Sequence, residues 1–111
     1  MKREIKFRFW LGHTKKMTYE HTLIEISHAH WDFTEDIIPL QFTGLLDKNG
    51  NEIYEGDIIK YKFITPYDTK EFTSSVFWDE FMWLTDEHSL NRIVHIEVIG
   101  NIYETPSLLT P

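Results

Sequence analysis

The chain has no cysteine, so it holds no disulfide framework and no thiolate site. No apolar run approaches the ~20 residues that a membrane-spanning helix needs. The charged N-terminus has no apolar core behind it, which excludes the pattern of a signal peptide. Both absences point to a soluble cytoplasmic protein. Basic residues are scarce: 11 Lys and Arg stand against 18 Asp and Glu, a net charge of −7. An acidic chain repels phosphate backbones, which disfavours general nucleic-acid binding. No repeat, low-complexity segment or linker interrupts the sequence.

What is present is aromatic. Eight Phe, five Tyr and four Trp, with alternating Ile and Val, favour β structure. The 111 residues read as one domain, 1–111. A chain of this size buries roughly two-thirds of its unfolded surface, enough for a core without staples. Charge is unevenly spread. Residues 1–33 carry six Lys/Arg and four Asp/Glu, whereas residues 34–111 carry five and fourteen, a balance of −9. Up to Lys16, only Glu4 opposes six basic residues.

Glu4 to Trp10 sets Ile5, Phe7 and Phe9 against Lys6, Arg8 and Trp10, the alternation of a half-buried strand. Leu11 to Lys16 is its turn and Met17 to Ser27 its return, giving an N-terminal β-hairpin region over residues 1–33. His28 to Asp32 extends that strand or opens a loop. Thr34-Glu35-Asp36 offers one capped helical turn, which Pro39 ends. A barrel region, 40–111, follows. Ile58 to Phe63 is a strand that runs out in the loop Thr65-Pro66-Tyr67-Asp68-Thr69. Phe72 to Trp78 and Phe81 to Thr85 are short strands that reverse at Asp79-Glu80. Asp86 to Asn91 is a loop. Arg92 to Ile99 is the clearest strand, with Val94, Ile96 and Val98 on one face. Gly100-Asn101 marks a bend, and Pro106 to Leu109 a tail turn. Short strands at this spacing, with sharp turns, describe a small barrel.

The stretch from Gln41 to Tyr61 holds three of the five glycines. Asp47 to Gly50 is a tight turn, because Asn49-Gly50 accepts the positive φ of a two-residue hairpin connection. Glu55-Gly56-Asp57 is a second turn. Gly44 and Gly100 join Asn49, Gly50, Gly56 and Asp57 as turn-forming positions. Phe42-Thr43-Gly44-Leu45, Asp47-Lys48-Asn49-Gly50 and Ile53-Tyr54-Glu55-Gly56-Asp57 together resemble the signature of the YopX family, small proteins encoded by phages and prophages of low-GC Gram-positive bacteria. Ile5 to Trp10 with Lys15-Lys16-Met17 resembles that family's opening, and Val98 to Pro106 its close. Phe9 stands where alanine is common, and Leu11-Gly12 where an acidic residue is common. The resemblance implies a small β-barrel protein in a phage or prophage setting, in a bacterial host's cytoplasm. It brings no established activity.

Candidate sites have competing structural readings. His28 and His30, with Asp32, lie at alternate positions, so a strand presents two imidazoles and a carboxylate on one side, as a zinc site requires. A complete ligand set is missing, and an exposed polar face of a strand or loop is the preferred reading. No tight metal binding is expected. Asp57 after Gly56 is a carboxylate available for catalysis, or one that fixes a turn by accepting backbone amides; the second reading is preferred. No Ser or Thr has a nucleophile's context, and no phosphate loop is present. Trp10, Trp31, Trp78 and Trp83 provide aromatic surface for a peptide groove. Trp78 and Trp83, however, flank a tight reversal where they pack across strands. Trp10 faces away from Ile5, Phe7 and Phe9. If that stripe meets the barrel, Trp10 is outward and open to a partner.

The sequence therefore describes an all-β protein, an N-terminal hairpin followed by a small SH3-like barrel, with no cofactor and no enzymatic activity. Its expected role is non-catalytic protein binding through Phe7, Trp10, Trp78 and Trp83. The alternatives are an acidic, nucleic-acid-mimicking inhibitor of a host DNA-binding protein and a metal-assisted hydrolase at His28, His30 and Asp32. The basic hairpin, with its apolar stripe, is expected to dock on the acidic remainder of its own chain or of a neighbour, the latter giving a homo-oligomer.

Overall fold

Phe7, Phe9 and Leu11, alternating with Arg8 and Trp10, form the first strand, β1 (Phe7–Leu11), in the computed structural model of the chain. The structure describes residues 5–12, 14–19, 37–63, 70–79, 82–85, 90 and 93–109. β1 pairs antiparallel with β2 (Lys16–Thr18), from Leu11 opposite Lys16 to Phe9 opposite Thr18. Lys15 adopts φ of 55° to close the loop between them. The expected hairpin is thus present over residues 7–18. The continuation of its return strand beyond Tyr19 and the helical turn at Thr34-Glu35-Asp36 lie outside the described residues.

The other neighbour of β1 is β3 (Ile37–Leu46), in register from Leu11 opposite Ile37 to Phe7 opposite Gln41. The hairpin therefore docks on its own chain. β3 starts earlier than the sequence suggests and runs through Pro39. That is tolerable because β4 (Glu52–Tyr54) pairs with β3 only from Phe42 onward, leaving one side of β3 as an edge at Pro39. Gly44 then takes φ of 87°, and the β3–β4 register slips between Phe42 and Leu46. The Thr43 hydroxyl steadies this irregularity by donating to the Ile53 carbonyl at 2.7 Å and accepting the Leu45 amide at 3.1 Å.

β5 (Asp57–Phe63) lies between β6 (Glu71–Ser75) and β9 (Ile93–Asn101) in a second, antiparallel sheet. A short hairpin of β7 (Phe77–Asp79) and β8 (Met82–Leu84) follows β6. The single strand expected over 72–78 is split at Val76. There the chain leaves β6, and Val76 exchanges backbone hydrogen bonds of 2.9 Å with Gly56 and Asp57. β9 carries two register shifts against β5, one beside Ile59 and one spanning His95, whose φ is 55°. The simple alternation of Val94, Ile96 and Val98 is broken by that bulge: Val94 is exposed, while Ile96 and Val98 pack against the core.

Bulges bend the strands, and the result is a curled half-barrel. Its core is Ile53, Ile59, Tyr61, Val76, Trp83, Leu90 and Ile93. A 3-10 helix, Pro106–Leu109, folds back across Gly100, with Leu108 Cδ1 only 2.8 Å from where a β-carbon would stand. No helix among the described residues is long and apolar enough to cross a membrane. β1 departs from the half-buried pattern, because both of its faces are covered. Phe9 is fully buried on one face, and Arg8 and Trp10 are buried on the other.

Candidate functional site

Two aspartates of the Gln41–Tyr61 stretch hold this architecture together. Asp47 opens the β3–β4 turn. Its carbonyl accepts the Gly50 amide at 3.0 Å, and its own amide donates to the Asn51 carbonyl at 2.8 Å. Gly50 has φ of 84°, but Asn49 stays at negative φ. The connection is therefore a three-residue loop with a left-handed glycine, not the two-residue turn that Asn49-Gly50 suggests. The Asp47 carboxylate accepts the amides of Asn49 and Asn51 on Oδ1 and the amide of Val98 on Oδ2, each at 2.9 Å. The last bond ties the turn to β9, beside a 2.8 Å bond from the Lys48 amide to the Ile96 carbonyl. Burial pushes the Asp47 carboxyl up, but the hydrogen bonds from Val98, Asn51 and Asn49 outweigh it and hold the group below the ordinary carboxylate value.

Asp57 does the same at the second turn. Gly56 adopts φ of 87°, and Asp57 Oδ2 accepts the Tyr54 amide at 2.7 Å. Oδ1 accepts from Arg8 Nη2 at 2.8 Å, in an ion pair where both side chains are almost wholly inaccessible. Burial raises the Asp57 carboxyl above its ordinary value, and Arg8 and the Tyr54 amide offset that only in part. A carboxylate whose two oxygens are both taken by fixed donors is a turn pin, the role preferred from sequence.

Around this pair lies a pocket of about 260 Å³, lined by Arg8, Tyr19, Asn51, Glu52, Tyr54, Asp57 and Val98. The Arg8 guanidinium sits 4.8 Å from the Tyr54 ring centre and 6.0 Å from that of Tyr19. The two tyrosine rings meet edge to face at 5.7 Å. Glu52 accepts from the Tyr54 hydroxyl at 3.3 Å and pairs with Lys6. Burial and the nearby Glu52 charge push the Tyr54 phenol up to about 12.

The remaining sequence candidates are scattered. Trp10 is not outward: it is buried and stacks on Tyr103 at 5.4 Å, because the chain after β9 returns over that face of β1. Phe7 is half-buried, 6.4 Å from Phe9. Trp78 and Trp83 are direct cross-strand partners in an edge-to-face pair at 4.8 Å. Trp83 belongs to the core, while Trp78 is 41% exposed at its rim. His28, His30, Asp32 and Trp31 lie outside the described residues. Among the described residues, no three His, Cys, Asp or Glu side chains cluster as metal ligands.

Sequence reasoning missed Arg8, Tyr19 and Asn51. Arg8 reads as part of a solvated face because it alternates with phenylalanines. The available signal was Asp57: a carboxylate at a strand entry, in a stretch rich in buried residues, calls for a counter-charge.

The family model described as YopX protein matches residues 6–110. The chain belongs to the YopX family. The YopX signature thus supplies both turn pins, Asp47 and Asp57, and one tyrosine of the pocket, Tyr54. Among solved structures, the YopX-family chain is similar to the crystal structure of protein EF1440 from Enterococcus faecalis, at 26% identity and a TM-score of 0.67. The alignment covers 97% of this chain and 99% of that one. No curated protein matches the chain.

Proposed function

We propose that this YopX-family chain is a non-catalytic protein-binding module of a phage or prophage, acting in the cytoplasm of a bacterial host. The observation that carries the non-catalytic part is the commitment of Asp47 and Asp57. Every carboxylate oxygen of the two is held by a backbone amide or by Arg8, so neither is placed to exchange protons with a substrate. Trp78 supports the binding part. It presents a large, rigid aromatic surface at the edge of a core whose inner tryptophan, Trp83, fixes its orientation.

The test is affinity capture from lysate of a Gram-positive host, followed by mass spectrometry, with wild type and Trp78→Ser compared. A protein retained by wild type, lost from the variant and insensitive to moderate salt supports aromatic docking. Capture that survives Trp78→Ser and collapses steeply with salt supports the acidic mimic instead.

A further inference from the structure

The Arg8 pocket holds donors without a full set of partners, and these define what it takes. Arg8 is 3% exposed. Its Nη2 donates to Asp57 Oδ1 at 2.8 Å and to the Glu55 carbonyl at 3.3 Å. Its Nη1 has one long bond, 3.4 Å, to the Tyr19 hydroxyl. Its Nε is buried without a partner. Tyr19 accepts from Arg8, so its own hydroxyl proton remains available. The acidic groups of the wall are already engaged. Asp57 has both oxygens engaged, and Glu52 has one oxygen on the Tyr54 hydroxyl and the other on Lys6. Charge is locally balanced, with Arg8 against Asp57 and Lys6 against Glu52. A cation entering here would meet carboxylates whose charges are already paired with Arg8 and Lys6. An acceptor would find a guanidinium and a phenol hydroxyl, flanked by the rings of Tyr19 and Tyr54 and by Val98.

We propose that this pocket binds a carboxylate carried on a small flat or apolar body. The carboxylate would accept from Arg8 Nη1 and the Tyr19 hydroxyl, and the body would lie against the tyrosine rings and Val98. Two oxygens match two adjacent donors, and a buried guanidinium favours an ionised acceptor over a neutral one. Tyr19, 56% exposed, forms the mouth. The carboxylate can arrive on a free small molecule or on an acidic side chain of a protein. This site shares no residue with the Trp78 surface and stands or falls independently of it.

The probes are benzoate, benzamide and the blocked tripeptide acetyl-Gly-Glu-Gly-amide, each titrated into the intact chain with the Arg8 side-chain N–H and the tyrosine ring resonances followed by NMR. Saturable shifts at Arg8, Tyr19 and Tyr54 with benzoate, at least tenfold weaker with benzamide, are expected. Tighter binding of the tripeptide than of benzoate assigns the site to a protein's acidic side chain, and the reverse to a small molecule. Tyr19→Phe keeps the ring at an exposed position and removes only the hydroxyl, and should weaken benzoate binding about threefold to tenfold. Absence of saturable shifts with both carboxylates, or equal response to benzoate and benzamide, overturns the proposal.

Discussion

Arg8→Met removes the positive partner of a buried ion pair and leaves most of the side-chain volume in place. Asp57 then keeps its Tyr54 amide on Oδ2 but loses the 2.8 Å bond on Oδ1, with its side chain 2% accessible to water. Stranding a buried charge in this way costs about 3–5 kcal/mol. For a domain whose total stability is of the order of 5–15 kcal/mol, that is a large fraction. It corresponds to a fall in melting temperature of roughly 12–20 °C at about 4 °C per kcal/mol. The effect also has a pH signature. Asp57 has a raised pKa in the folded chain, chiefly from burial, so between its unfolded and folded values the folded state holds the extra proton. Its contribution to stability therefore falls as pH rises through that window. Arg8 opposes this by favouring the ionised form, and removing it raises the pKa further. The stability gap between wild type and Arg8→Met should be widest near neutral pH and narrow on acidification, once protonation discharges Asp57. Urea unfolding of both proteins across pH 4 to 8, monitored by tryptophan fluorescence, measures this. A gap below about 1 kcal/mol at neutral pH would refute the argument, because that is the value of a solvated surface pair.

Gly50→Val should destabilise the chain by about 1–2 kcal/mol from the positive φ alone, since no atom lies within 4 Å of the new side chain's first carbon. An unchanged melting temperature would remove the turn's dependence on glycine. Gly100→Ala should cost about 1–3 kcal/mol for a different reason, overpacking against the Thr105 hydroxyl and Leu108, and should loosen the 3-10 helix in hydrogen exchange. Tyr54 should resist ionisation until about pH 12, seen as a late step in the ultraviolet titration of the tyrosines. Because its unfolded value is lower, that residue's contribution to stability should fall as pH climbs from 10 towards 12.

Much of the architecture was legible. Alternation in residues 5–11 is a property of the local chain, so β1 and its hairpin could be read directly, as could the glycine at position 50. The β character followed from the aromatic and β-branched content. What sequence did not reveal depends on tertiary neighbours. Pro39 lies inside β3 because β4 happens not to reach it. Val76 interrupts a strand because Gly56 and Asp57 compete for its backbone groups. His95 adopts positive φ in a bulge, although its sequence surroundings show plain alternation. Trp10 is buried because Tyr103, more than 90 residues later, packs over it. The pocket was hidden for the same reason: Arg8 and Tyr19 come from the two arms of the hairpin, and Asn51 and Val98 from distant parts of the chain.

The central claim is that Asp47 and Asp57 of the YopX signature connect strands through their hydrogen bonds. Amide hydrogen exchange at Val98 tests it most directly, because that amide donates to a side chain, Asp47 Oδ2, rather than to a strand carbonyl. In wild type the Val98 amide should be protected like its β9 neighbours. In Asp47→Ala its protection should fall at least tenfold relative to the amides that remain in the β5–β9 ladder. Equal protection of Val98 in the two proteins would contradict the claim and return Asp47 to the pool of candidate reactive groups.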